Sequence, residues 1–172
     1  RKSYQWRRRL CNRRKYENLR KYEKAEDLQN RMIEIVNMLN MEHIDIERVK
    51  CFRSAGSSTR RTLARCHTVG KLMQKAMGMP AHYAIEFLEP FNKLSKKDQD
   101  KVIIHELMHI PKTFGGGFRQ HDFVCDKNVE IMYEKFAAMK GIEIEEGDKI
   151  DNNEKDNFVS IREALLRKWL GN

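Results

Sequence analysis

The sequence predicts an α+β domain in which helices pack on a small mixed β-sheet. Two observations support this class. Apolar residues recur at helical spacing in several segments, and between these segments lie shorter ones in which apolar and polar residues alternate. The chain has 172 residues, which suits one domain with extensions, and its sequence contains no internal repeat. We therefore expect a single core between one sheet and its helices.

The first half of the chain is predicted to contain a long helix followed by two strands. Residues 17–39 have the helical pattern, and residues 48–53 and Leu63–His67 have the composition of strands separated by a loop. Five apolar side chains share the predicted buried face of the helix: Leu28, Met32, Ile35, Val36 and Leu39.

A short helix and a third strand are predicted next. Val69–Met77 has helical spacing and ends before a glycine and a proline, and we expect its Met73 and Met77 to fill the core. Ala81–Leu88 alternates between apolar and polar residues, which predicts a strand.

The clearest helix is predicted over residues 95–110. Ser95 stands at the N-cap with Asp98 three residues later, and Pro111 lacks the N–H that a longer helix would need. A further helix is predicted over residues 122–139. Three glycines at positions 115–117 lie between the two helices and allow the chain to fold back.

Residues 105–109 have the pattern H-E-x-x-H on the first of these two helices. His105 and His109 are four residues apart, so both imidazoles point to the same side and can bind one metal ion. Glu106 lies beside them, where it can accept a proton from a metal-bound water. A histidine pair on the surface, with Glu106 paired to Lys101, would give the same motif. The capped helix, the glycines and a later histidine favour the metal site.

A third metal ligand is expected beyond the glycines. His121 is the leading candidate, since a loop that folds back would bring its imidazole to the metal. Glu130 is the rival, because one family of zinc proteases takes its third ligand from a glutamate on the next helix. Asp122 and Asp126 are weaker candidates. Two helix histidines and one ligand beyond a turn leave the fourth position to water, an arrangement common in catalytic zinc sites.

Three stretches of the sequence resemble the archaeal and phage metallopeptidases, a zincin-like family. They are Val49–Ser57, His82–Glu86 and the run HELMHIPKTFGGGFRQH at residues 105–121. The resemblance extends over residues 26–139. A remoter likeness is to the SprT-like proteases, some of which cut proteins bound to DNA. The family resemblance implies a zincin-like domain with one Zn²⁺ per chain, held by His105, His109 and His121.

The same resemblance implies a peptidase but no particular substrate, and we expect the substrate of a peptidase to be a protein or a peptide. Zinc would lower the pKa of a bound water, and Glu106 would take its proton and pass it to the leaving amine. Arg119 and Tyr133 are candidates for stabilising the tetrahedral intermediate. In the zincin-like picture the strand Ala81–Leu88, just before the metal helix, forms an edge of the sheet, and the substrate backbone joins it as an extra strand. The alternative function is a non-catalytic zinc-binding module whose basic N-terminal arm binds nucleic acid or an acidic protein partner.

Basic residues are concentrated in this arm. Residues 1–24 contain eleven Lys or Arg and two Glu, a net charge of +9, while the other 148 residues contain 23 basic and 23 acidic side chains. Tyr4 and Trp6 lie among the basic residues. Phosphate neutralisation with base stacking suits nucleic acid, although an acidic protein would also fit. The basic clusters that would bind it are Arg7, Arg8, Arg9, Arg13, Arg14 and Lys15.

Three regions are therefore expected along the chain. These are a basic arm at 1–24, the zincin-like metallopeptidase domain at 25–140, and a C-terminal part at 141–172 that combines an acidic linker with an amphipathic helix over Phe158–Leu170. Mean hydropathy is −0.76 and no apolar run is long enough to span a bilayer, so we expect a cytoplasmic protein that makes no membrane contact.

The four cysteines, at positions 11, 51, 66 and 125, are scattered and form no C-x-x-C pair. We expect reduced thiols rather than disulfides. Cys51, Cys66 and His67 could form a second metal site, but the preferred prediction is that they are buried structural residues on two neighbouring strands.

Overall fold

A four-stranded mixed sheet lies at the centre of the structure, a computed structural model that describes residues 21–56, 59 and 61–141. The α+β class predicted from the sequence is confirmed. Within these residues the elements are, in chain order, β1 (Lys21–Lys24), α1 (Glu26–Met38), β2 (Val49–Ala55), β3 (Ala64–Thr68), α2 (Lys71–Met77), β4 (Tyr83–Leu88), α3 (Lys96–Met108) and α4 (Asp126–Lys140).

The strands are arranged in the order β1-β2-β4-β3. β2 and β4 are parallel, whereas the outer pairs β1–β2 and β4–β3 are antiparallel. The expectation that residues 81–88 form an edge is wrong, because β4 pairs with β2 on one side and with β3 on the other. Alternation along a sequence shows that a strand has two different faces, but it does not show how many strands bond to its edges.

The hydrophobic core lies where α1 and α3 pack on the sheet, with α4 packed against both helices. Burying each large apolar side chain contributes roughly 1.5–3 kcal/mol. The largest side chains with almost no exposure are Tyr83, Phe87, Phe91, Phe136, Met32, Ile35, Ile85, Leu88, Ile103, Ile104, Leu107 and Ile110. Most of these belong to β4, to α3 or to the turn that follows α3, so the core supports the segment that carries the H-E-x-x-H motif.

The first helix starts later than the sequence predicts. Lys21–Lys24 is a strand, because its residues pair with β2, with Tyr22 opposite Ser54. Pairing with a partner distant in sequence has overridden a local helical pattern. The predicted apolar face is confirmed from α1 onward, since the side chains expected there, Leu28, Met32, Ile35, Val36 and Leu39, are all buried.

The short helix α2 lies on the surface. It ends at Gly78 in the left-handed conformation, close to the predicted boundary. The expectation that Met73 and Met77 fill the core is wrong, since they are 53% and 60% exposed. A helix of two turns can contact the protein through a single residue, and in α2 that residue is the polar Gln74, which is partly buried.

The N-terminus of α3 has the predicted cap. The Ser95 hydroxyl accepts a hydrogen bond from the Asp98 backbone N–H at 3.1 Å. α4 begins at Asp126 rather than at residue 122, because the preceding residues form a turn in which the Phe123 and Val124 amides donate to the Gln120 carbonyl. α1 is joined to α3 by a salt bridge in which Arg31 donates to the buried Asp100 carboxylate at 2.7 Å.

Cysteines in the described part of the chain are free thiols at positions 51, 66 and 125. Burial raises the pKa of Cys51 to about 12. Cys51 and Cys66 do not lie on neighbouring strands as expected, because β4 runs between β2 and β3 and places Ile85 opposite both. His67 bonds to Glu86 instead of joining a second metal site, and the only metal-binding group among the described residues lies elsewhere.

No helix among the described residues is long and apolar enough to cross a membrane. Most of the basic arm and the whole of the predicted C-terminal helix lie outside the described residues.

Candidate metal centre

Three histidines converge at the C-terminal end of α3. His105 lies in the last turn of the helix, and His109 is its C-cap residue. His121 follows the glycine loop, and its ring centroid is 4.7 Å from that of His109 and 5.9 Å from that of His105. One ring nitrogen from each residue lies within 4.8 Å of the other two, so the three imidazoles could share one metal ion.

The orientation of His109 fits metal binding. Its Nδ1–H donates to the Arg119 carbonyl at 2.9 Å, which leaves Nε2 with its lone pair directed into the cluster. This Nε2 is 3.2 Å from Nε2 of His105. Two nitrogen ligands of a tetrahedral zinc ion, each about 2.0–2.1 Å from the metal, are about 3.3 Å apart. The distance between these two nitrogens therefore fits two ligands of one metal ion.

Local bonding explains how His121 reaches the helix. The Arg119 backbone bonds to His109 twice: its N–H donates to the His109 carbonyl at 2.8 Å, and its carbonyl accepts from the His109 ring. Gly116 has a φ of +83°, a conformation that glycine adopts without strain. The predicted return of the loop towards the helix is thus present. His121 lies two residues beyond Arg119, whose backbone is fixed to His109 by these two hydrogen bonds.

Glu106 is buried beside this cluster, with 6% of its surface exposed. α3 packs against the strand β3, and the Glu106 carboxylate is close enough to Cys66 of β3 to affect its charge. Burial and this carboxylate both raise the pKa of the Cys66 thiol. The Glu106 side chain therefore lies on the side of α3 that faces β3.

The two residues suggested as stabilisers of an intermediate lie in different places. Arg119 contacts the cluster through its backbone, while its guanidinium stacks 3.2 Å from the centre of the Phe123 ring. Tyr133 is buried under the first half of α3, where its ring lies 5.2 Å from the Lys101 ammonium. Burial and nearby acidic side chains, Asp100 first among them, raise the pKa of Tyr133.

The rival third ligands have other contacts. Glu130 forms a salt bridge of 2.6 Å with Lys101, and Asp122 accepts a hydrogen bond from the Phe123 amide at 2.8 Å. Asp126 lies exposed in the first turn of α4. None of the three belongs to a metal-binding group in the described part of the chain, whereas His121 does.

Sequence reasoning did not identify three residues around this centre. His43 bonds to the Ile110 backbone just beyond the motif, and its pKa is lowered by burial and by the charges of Arg119 and Lys112. Tyr83 and Gln74 contact the glycine loop through hydrogen bonds. All three are distant in sequence from the motif, so no local pattern could have indicated them.

Residues 20–140 match a protein family described as “Putative phage metallopeptidase”. The match covers 121 of the 172 residues and includes the three histidines and Glu106. No curated protein and no solved structure is significantly similar to the chain.

Proposed function

Because the chain belongs to the phage metallopeptidase family, we propose that it hydrolyses peptide bonds at the three-histidine centre. The observation that carries the proposal is the convergence of one ring nitrogen from each of His105, His109 and His121 within 4.8 Å. Zinc is the metal that this donor set favours, since three neutral imidazoles with water in the fourth position are typical of catalytic zinc. One ion per chain would be bound.

Such an ion supplies Lewis acidity and a bound water whose pKa lies near neutrality. Glu106 is the general base: its carboxylate accepts a proton from the attacking water and later donates it to the leaving amine. Glu106 follows His105 directly on α3 and is 6% exposed, which supports its assignment to this role.

Peptide substrate is proposed to align along β3. This strand pairs with β4 alone among the described residues, so its outer edge has backbone groups that an extended peptide can bond. β3 also packs against α3, next to Glu106. Backbone pairing there would bring a scissile bond near the histidines, whereas β4, the strand expected from the sequence, has no edge available. An edge strand beside the metal-binding helix is consistent with the zincin-like architecture that the family resemblance implies.

The contacts of Arg119 and Tyr133 distinguish them as donors to the anionic intermediate. Arg119 is the better of the two candidates, because its backbone already bonds to His109. Its guanidinium would have to leave the Phe123 ring to reach a substrate. The contacts of Tyr133 with the first half of α3 lend that residue no support in this role.

Metal analysis combined with a protease assay tests the proposal. Purified wild-type protein should contain about one zinc per chain and cleave casein or members of a peptide library. His105→Ala should lose both properties. A wild type that binds zinc without cleaving any substrate would favour the non-catalytic zinc module, and a wild type that binds no metal would exclude both functions.

A further inference from the structure

One tyrosine hydroxyl bonds two consecutive peptides of the glycine loop. Tyr83 lies on the inner strand β4 and is 2% exposed. Its hydroxyl donates to the Gly117 carbonyl at 3.0 Å and accepts from the Gly116 amide at 3.0 Å. A hydroxyl has one hydrogen to donate and lone pairs to accept, so both bonds can form at once. The sheet therefore holds the loop at its turn.

The Tyr83 ring also contacts the residues on either side of the glycines. Its centroid is 4.9 Å from that of Phe114 and 6.2 Å from that of Phe118. Phe114 has a φ of +44°, which is unfavourable for a bulky side chain and persists only where the surroundings enforce it. The Arg48 guanidinium, 4.8 Å from the Phe114 ring, covers it further.

Gln74 of α2 holds the same loop from a second direction. Its Nε2 donates to the Val69 carbonyl at 2.6 Å and to the Gly115 carbonyl at 3.2 Å. A Cβ atom at Gly116 would lie 2.0 Å from this Nε2 and 2.6 Å from the Val69 carbonyl oxygen. Gly116 therefore packs against α2 and the strand end so closely that no larger residue fits.

These contacts connect β4 and α2 to the third histidine. Gly117 is held by Tyr83, Arg119 is held by His109, and His121 follows two residues later. We propose that Tyr83 is a positioning residue that raises the metal affinity of the centre, because its hydroxyl keeps the loop and His121 in the metal-binding arrangement before metal arrives. This proposal rests on the metal site proposed above but does not require that the protein cleave peptides.

The physical reason is preorganisation. A loop that is already ordered in the metal-free protein loses little conformational entropy on binding, whereas a released loop must be ordered by the metal itself. Some residues orient the metal ligands without binding the metal themselves. Substituting such a residue typically changes metal affinity by about 10- to 100-fold.

Tyr83→Phe tests the proposal, because it removes the hydroxyl and keeps the ring. Zinc affinity would be measured by competition with a chromophoric chelator, and amide hydrogen exchange would be followed in the metal-free protein. We expect zinc to bind about tenfold more weakly or worse, with faster exchange at Gly116 and Arg119 and unchanged exchange in α1. Tyr22→Phe is the matched control, because Tyr22 is 57% exposed on β1 and should leave both measurements unchanged.

Unchanged zinc affinity in Tyr83→Phe, with faster loop exchange, would show that the hydroxyl serves packing alone and would overturn the proposal. Gln74→Ala gives a second test should Tyr83→Phe not fold, since this partly buried side chain contacts the same loop from the surface helix. Gln74→Ala should also weaken zinc binding. An unchanged zinc affinity would contradict the proposal that contacts with the rest of the fold keep the loop in its metal-binding arrangement. A wild type that binds no zinc would instead refute the metal site itself.

Discussion

Three carboxylates are buried in the described part of the chain, and their surroundings differ. Asp100 and Glu86 are 3% and 2% exposed and bond to basic side chains, Asp100 to Arg31 and Glu86 to His67. Glu106, 6% exposed, follows His105 directly on α3. A buried carboxylate is costly unless hydrogen bonds or charges compensate it. The contacts of Asp100 and Glu86 with basic side chains stabilise those two carboxylates in the fold, and Glu106 is the carboxylate proposed to act in catalysis.

Glu106→Gln should separate metal binding from catalysis. The amide has nearly the same shape but cannot accept the water proton, so zinc content and fold should be retained while peptide hydrolysis falls by at least about a hundredfold. Rates on a casein or peptide substrate would be compared for zinc-loaded wild type and variant. Equal rates would refute the role as base, and loss of zinc from the variant would make Glu106 a structural residue.

Protonation of Glu86 should make the fold less stable at acidic pH. Burial alone would raise the pKa of Glu86, but the hydrogen bond from His67, together with the charges of His67 and Arg65, holds it below the ordinary value. A depressed pKa means that the ionised carboxyl stabilises the fold above the unfolded-state pKa of about 4.3. This contribution is lost as pH falls through the lower folded-state value.

Urea unfolding of wild type and Glu86→Gln would measure this effect. The wild type should be the more stable protein at pH 7, and the difference should shrink below about pH 4, where the wild-type carboxyl also becomes neutral. A difference that stays constant down to about pH 3 would mean that ionisation of Glu86 does not contribute to stability.

At the scale of elements, the site depends on how the loop between α3 and α4 is fixed. The helix supplies two histidines by its own periodicity. The third histidine, His121, joins them because the loop packs on β4 and α2. Among the glycines of the loop, Gly116 is the one whose backbone lies too close to its neighbours for an added Cβ atom. A Cβ atom added at Gly117 would have open space around it, with nothing within 4 Å, so the two adjacent glycines are under different constraints.

Gly116→Ala should therefore damage the loop, whereas Gly117→Ala should be tolerated. An added methyl at Gly116 meets positive φ and two close atoms, which should destabilise the protein by about 1–3 kcal/mol and weaken zinc binding. Thermal unfolding with and without zinc would measure both effects. Equal behaviour of the two alanine variants would show that the close packing against Gln74 and Val69 does not constrain the loop.

At the scale of the whole molecule, the sheet includes part of the predicted basic arm. Residues 21–24 form β1, so a deletion that tests the arm should stop at residue 20. Residues 1–20 hold nine Lys or Arg and one Glu, and the other 152 residues hold 25 basic and 24 acidic side chains. The proposed division into an arm, a catalytic domain at 25–140 and a C-terminal part would then be tested without removing a strand.

Deletion of residues 1–20 should abolish nucleic-acid binding if the arm is responsible for it. Binding to phosphates releases counterions, so the affinity of the full chain should fall steeply with salt, and the truncated chain should still bind zinc. Replacing Tyr4 and Trp6 by Ala should weaken binding to single strands more than to duplex, because bases stack on aromatic rings. Gel shifts at two salt concentrations would measure this. Absence of binding at low salt, or equal binding after truncation, would leave an acidic protein as the arm's partner.

The sequence by itself determined the features that depend on neighbours along the chain. The cap at Ser95, the apolar face of α1 and the fourfold spacing of His105 and His109 each follow from helix geometry, which acts over a few residues. The positions of β2, β3 and β4 were predicted from local composition, whereas β1 was predicted to be part of a helix. His121 was the leading third ligand because glycines precede it, and it does lie with the other two histidines.

Only the tertiary structure decided which strand is at the edge, where Met73 and Met77 lie, and what holds the glycine loop. These features arise from contacts between residues far apart in the chain, such as Tyr83 with Gly117 and Gln74 with Gly115. A sequence pattern records how a segment divides into apolar and polar faces. It does not record which distant segment covers a face or bonds to an edge, because that choice depends on the packing of the whole core.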